Sequence, residues 1–136
     1  MFQEIIMSRK NKILVVYLAL ALIAFIVYGQ VYTFHFVNVD DNIYVTQNQH
    51  LQSGLTAAGI GWALTTTYAE FWHPLTWLSL MADHQLYGLQ AGGYHVTNLI
   101  LHLLSTLLLF WLFHRMTGAV WRSAFVAAFF ALHPLH

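Results

Sequence analysis

The sequence predicts an all-α integral membrane protein with three transmembrane helices, the third truncated, and a long outer loop carrying short amphipathic interfacial helices. Three observations carry this. Of the 136 residues, 59% are hydrophobic and only 7% charged, against roughly 25% charged in an ordinary soluble domain, so most of the surface is unsuited to water. Two apolar runs, at about 13–32 and 94–113, reach the length of about 20 residues that a hydrocarbon core of roughly 30 Å asks of a helix. The Lys and Arg residues avoid the stretch between those runs.

Composition also excludes some functions. The formal net charge is zero and the five Lys and Arg residues form no dense basic run, which argues against nucleic acid as a partner. The absence of cysteine removes a disulfide framework, a thiolate metal site and a cysteine nucleophile together.

The first span is uninterruptedly apolar from Ile13 to Tyr28. Arg9, Lys10 and Lys12 before it resemble the basic region of a signal peptide, but bulky Phe25, Tyr28, Tyr32 and Phe34 leave no small-x-small cleavage site. An uncleaved anchor is expected. The second span opens at Gly92-Gly93 and is broken between Leu99 and Phe113 only by His102, Ser105 and Thr106. A third apolar stretch, about 117–135, meets Pro134 and reaches His136. Residues 1–136 are therefore expected to be one N-terminal fragment of a longer polytopic membrane domain.

Basic residues set the orientation. Arg9, Lys10 and Lys12 precede the first span and Arg115 and Arg122 lie between the second and third, while residues 37–93 contain none. The positive-inside rule puts the N-terminus and the 114–122 turn in the cytoplasm and the 37–93 loop outside it. That loop holds four of the five acidic residues, Asp40, Asp41, Glu70 and Asp83, together with Trp62, Trp72 and Trp77. Such a segment suits the headgroup level, where amphipathic rings are stable. Within it, Thr56 is placed to cap a helix over about 56–64. A second helix follows Pro74, with Thr76, Ser79 and Asp83 on one face and Trp77, Leu78, Leu80 and Met81 on the rest, and Gly88 is placed to end it.

Asp40-Asp41 opens the outer loop. Adjacent residues point to opposite sides of a strand or about 100° apart on a helix, so one carboxylate is expected to work and the other to support it. A partly desolvated carboxylate at a membrane surface is suited to take a proton from a hydroxyl acceptor. Asp-Asp-Asn is also turn and N-cap chemistry, and a solvated turn is the alternative. His95, Asn98, His102 and Thr106 recur at helical spacing, with Ser105 at the margin. A polar stripe within a span faces the bundle interior, where it bonds to neighbouring helices or lines a cavity. His73 and His133 each precede a proline, which holds them extended or in a turn, and His136 follows closely. Their spacings match no metal-ligand motif, so no metal site is assigned, with a divalent cation kept as the alternative to direct polar contact.

In this order, Phe36-Val37, Asp40-Asp41, Tyr44, Trp62, Pro74-Leu75-Thr76, Gly88-Leu89, Tyr94-His95, Asn98, His102 and Leu132-His133-Pro134-Leu135-His136 resemble the N-terminus of one family. It is that of the transmembrane and tetratricopeptide-repeat glycosyltransferases, of the GT-C class, which include protein O-mannosyltransferases. The resemblance covers essentially residues 30–136. It implies sugar transfer from a polyprenyl-phosphate donor, within a membrane, to a hydroxyl acceptor such as protein Ser or Thr; no cofactor is assigned, and a divalent metal is not excluded. Asp40 matches the catalytic base of the family's first outer loop and Asp41 its helper. His73, His95, Asn98, His133 and His136 are the expected substrate contacts. The family's later spans and repeats are missing from this stretch. Departure of a polyprenyl phosphate needs cations or strong donors, and with no Lys or Arg in 37–93 the phosphate clamp is expected beyond His136. Two other functions stay open: a membrane scaffold without chemistry, and a proton or metal conductor lined by the histidine stripe.

Overall fold

The computed structural model describes residues 7–133. They form helices and turns, with no strand among them. Two compact units result: Met1–Gln30 with Asn98–His136, and Val31–Thr97.

The first unit is built on apolar helices. Helix α1 (Arg9–Tyr28) starts where the Ser8 hydroxyl accepts the Asn11 amide at 3.3 Å, and a tighter turn over Gly29–Thr33 continues it. Together these make 25 residues. Helix α5 (Ala91–Thr117) has 27. Both are long and apolar enough to cross a membrane, and only 17% of the apolar window of each is buried, unlike the core helix of a soluble domain. Leu14, Leu18, Leu22 and Ile26 of α1 and Leu104 and Leu108 of α5 all stay exposed. Apolar surface on this scale needs lipid or a partner to cover it.

The third apolar element begins later than expected. Thr117 ends α5, Gly118 turns at a φ of 68°, and helix α6 runs Val120–Leu132. The left-handed conformation costs glycine nothing, which fixes the boundary there. The 13 residues of α6 rise about 20 Å. Pro134 and the end of the expected span lie outside the described residues. Helices α1 and α6 pack on each other through one buried residue per turn: Val16, Leu20 and Ala24 against Ser123, Ala127 and Ala131. Small side chains on α6 let the two backbones approach. Phe110 of α5 joins this core and meets Tyr17 edge-on at 4.9 Å.

The second unit is more than a tether, because it has its own core. Helix α2 (Gln49–Gln52) is capped by Asn48, whose side-chain oxygen accepts the His50 and Leu51 amides at 3.0 and 3.2 Å. Helix α3 (Ala57–Thr65) is capped by Thr56 as the sequence predicts, the Gly59 amide donating to its hydroxyl at 3.1 Å. Gly59 is the right residue there: a Cβ would stand 2.6 Å from the Gly54 carbonyl oxygen. Helix α4 (Pro74–Tyr87) starts at its proline and stops at Gly88, φ 59°. These helices close over Trp77, Met81, Leu51 and Ala63, all fully buried. Two sequence expectations change. Trp77 serves as core, so of the three loop tryptophans Trp72 is the one left well exposed, at 65%. Asp83, expected on the polar face with Thr76 and Ser79, is only 3% exposed.

Candidate functional site

The Asp40-Asp41 turn sits in the second unit, immediately before a wide π-type turn over Asn42–Thr46. The Asp40 carbonyl accepts the Ile43 and Tyr44 amides at 2.9 Å each, and Val39 donates to Val37 at 2.8 Å. Asp41 does not cap the turn that follows it. Its carboxylate reaches back instead, taking the Val37 amide at 2.7 Å. A charged acceptor makes such a bond stronger than a neutral one. The two carboxylates are thus unequal: Asp41 closes the turn, and the Asp40 side chain is exposed on it.

Tyr44, tied by its amide to Asp40, leads into an aromatic cluster. Its ring stacks on His73 at 5.6 Å and on Trp77 at 5.1 Å, and His73 also lies 4.9 Å from Trp77. Trp62 and Tyr68 meet Trp77 from other sides at 5.1 and 5.9 Å. His73 is held at the N-cap of α4 by the proline that follows it. Just before it, Ala69 and Glu70 take φ of 58° and 67°, a conformation that costs non-glycine residues energy. The Nε2 atom of His73 is buried without a hydrogen-bond partner.

His95, in the second turn of α5, has the same feature: its Nε2 is buried and unpartnered, and its ring meets Phe34 edge-on at 6.4 Å. Phe34 and Phe36 line a cleft of about 600 Å³ with Tyr32, His35, Leu89 and Gly92. This cleft lies on the segment that runs directly into the Asp40-Asp41 turn.

The remaining expected contacts belong to the first unit. Asn98 is exposed and His133, half-buried, lies against Phe129 at 5.2 Å, while His136 is outside the described residues. His73 and His95 therefore share a unit with the aspartates, and Asn98 and His133 do not. The polar stripe of α5 is used for packing in part. His102 donates from Nε2 to the Ala131 carbonyl at 3.1 Å, one of the last carbonyls of α6 that lack a partner within their own helix. Its ring stands between Tyr28 and Phe130, each 5.5 Å away. Thr106 is fully buried with an unpartnered hydroxyl. No three His, Cys, Asp or Glu side chains gather into a metal-holding group among the described residues.

Asp83 was placed on a helix face by the sequence but given no role in a site. The Asp83 carboxylate accepts the Thr97 hydroxyl at 2.6 Å, linking α4 to the start of α5. Burial pushes this carboxyl above its ordinary range, and the Thr97 hydrogen bond opposes the shift. Beside it the Tyr94 hydroxyl donates to the Gly88 carbonyl at 2.8 Å. The available signal was a lone carboxylate in a helix otherwise rich in Trp, Leu and Met. No family model, curated protein or solved structure matches the chain.

Proposed function

We propose that this chain is the front end of a multi-pass membrane glycosyltransferase that moves a sugar from a polyprenyl-phosphate donor to a hydroxyl acceptor, such as protein Ser or Thr. The N-terminus is cytoplasmic and residues 37–93 are outside. Asp40 takes the acceptor proton as the anomeric carbon leaves phosphate for oxygen. Asp41 holds the turn that presents it, and His73 and His95 offer hydrogen bonds to donor or acceptor. A cation for the departing phosphate comes from outside residues 37–93, because neutral histidine is a weak substitute for the bidentate grip of arginine.

One observation carries this reading: of two adjacent carboxylates, one is spent on the Val37 amide and the other is left exposed, beside an aromatic cluster that buries an unpartnered histidine nitrogen. A purely structural Asp-Asp turn needs only the first. The test is transfer from polyprenyl-phosphate mannose or glucose into protein, in membranes from cells carrying the substitution in the gene. Asp40→Asn is expected to lower the rate roughly 10²-fold or more, as loss of a general base does. Asp41→Asn keeps an acceptor for Val37 and is expected to cost much less. Equal small losses at both positions, with normal insertion, would leave a turn without chemistry.

A scaffold function is the second reading. It is favoured by His102, which the fold uses to tie α5 to the end of α6, and it calls for full tolerance of substitution at Asp40.

A further inference from the structure

The five Lys and Arg residues stand in two separate stretches, 9–12 and 115–122, and the first unit brings these together. Arg9 donates from Nη2 to the Gly118 carbonyl at 3.3 Å, which holds the first turn of α1 against the α5–α6 turn. Arg115 lies in the last turn of α5 and Arg122 in the first turn of α6, on either side of Gly118. Arg9, Lys10, Arg115 and Arg122 are exposed, and Lys12 is half-buried. The partner of Arg9 is a neutral carbonyl, so its charge is not cancelled. No Asp or Glu occurs among the described residues of this unit.

We propose that this end of the first unit is a binding site for the phosphodiester headgroups of anionic phospholipids, an inference that rests on the chain being embedded in a membrane. Arginine suits the ligand, since its planar fork matches phosphate oxygens two at a time. The surroundings decide between a lipid and a water-soluble polyanion. Trp121 next to Arg122 is 63% exposed, Trp111 one to two turns before the end of α5 is 49% exposed, and the apolar faces of α1 and α5 continue away from the cations. Exposed indoles at the level of the charges are the pattern of a membrane interface. A headgroup with its tails satisfies both the cations and the apolar faces beyond them. A nucleic acid or free phosphate would cover the cations and leave those faces bare.

The test uses the purified chain in maltoside micelles, titrated with phosphatidylglycerol or phosphatidylcholine, with bound lipid counted by native mass spectrometry. Phosphatidylglycerol is expected to bind in preference. The double variant Arg115→Gln, Arg122→Gln is expected to weaken it about thirtyfold, from the usual contribution of each cation near an anionic surface, and to leave phosphatidylcholine unchanged. Arg115→Lys with Arg122→Lys keeps the charge without the fork and is expected to hold phosphatidylglycerol less tightly than the wild type but more tightly than the glutamine pair, which separates lost charge from lost fold. Inorganic phosphate at the same concentration is expected not to displace the lipid; displacement would reduce the site to a free-anion site and overturn the proposal. Carbonate extraction of membranes reads the spans independently. A chain that stays in the pellet yet binds the two lipids alike overturns the headgroup site alone, and a chain released by carbonate overturns the membrane reading with it.

Discussion

Asp83 allows the sharpest test of the second unit. Its carboxylate is 3% exposed and accepts one hydroxyl, from Thr97, at 2.6 Å. Thr97→Val keeps the volume and removes the donor. A hydrogen bond to a charged group contributes about 1.5–3 kcal/mol, and each kcal/mol shifts the melting temperature of a unit this size by about 4–8 °C, so a drop on the order of 10 °C is expected at neutral pH. Asp83→Asn keeps an acceptor for Thr97 and discards the desolvated charge. It is expected to match or exceed the wild type there. The pH dependence has a definite sign. Burial raises the Asp83 carboxyl in the folded state, so the folded protein holds this proton to higher pH than the unfolded chain does. The stability linked to that proton is fully present below the unfolded value and is lost as pH rises through the folded one. Relative to Asp83→Asn, the wild type should therefore fare best in acid and lose ground as pH climbs. Thermal unfolding in maltoside, followed by tryptophan fluorescence between pH 4 and 8, measures both effects. A Thr97→Val protein that melts with the wild type, or a gap to Asp83→Asn that does not move with pH, refutes the assignment.

Two further outcomes are expected. The chain has no cysteine, so single cysteines at exposed Ser53 and Thr117 report sidedness: an impermeant thiol reagent added outside intact cells should label position 53 and spare 117, and the reverse pattern would put the aspartates in the cytoplasm. Gly92→Ala drives a methyl group into the backbone carbonyl of Tyr32, and over-packing against a part that cannot swing aside costs about 1–3 kcal/mol; faster proteolysis within residues 31–97 should follow, and unchanged proteolysis would mean that this backbone yields freely.

What the sequence disclosed was local. Thr56 before Ala57-Ala58, Pro74 at the head of α4 and Gly88 at its end each signal through neighbouring residues, and the structure puts the helix boundaries there. The two long apolar runs were legible for the same reason, and their helices start three or four residues before them, whereas the third begins three residues later than expected. Features that depend on residues far apart were not legible. Nothing in the spacing of Asp83 and Thr97 forecasts a 2.6 Å bond, nor does His102 announce that it will end a helix beginning at Val120. The cations are the clearest case. Counted along the chain they form no basic run, yet the Arg9 to Gly118 contact joins their two stretches into one charged end.

The aspartate pair shows why a short motif divides in this way. Two like charges on adjacent residues cannot share one partner without repulsion, and each needs water or a donor. At Asp41 the chain doubles back far enough to offer the Val37 amide, so that carboxylate is satisfied by protein. Asp40 precedes it by one residue, and the Val37 amide taken by Asp41 does not serve both. It stays exposed, open to groups in solution. The inequality therefore follows from backbone geometry alone, and it is what makes Asp40→Asn and Asp41→Asn distinguishable experiments rather than two versions of one.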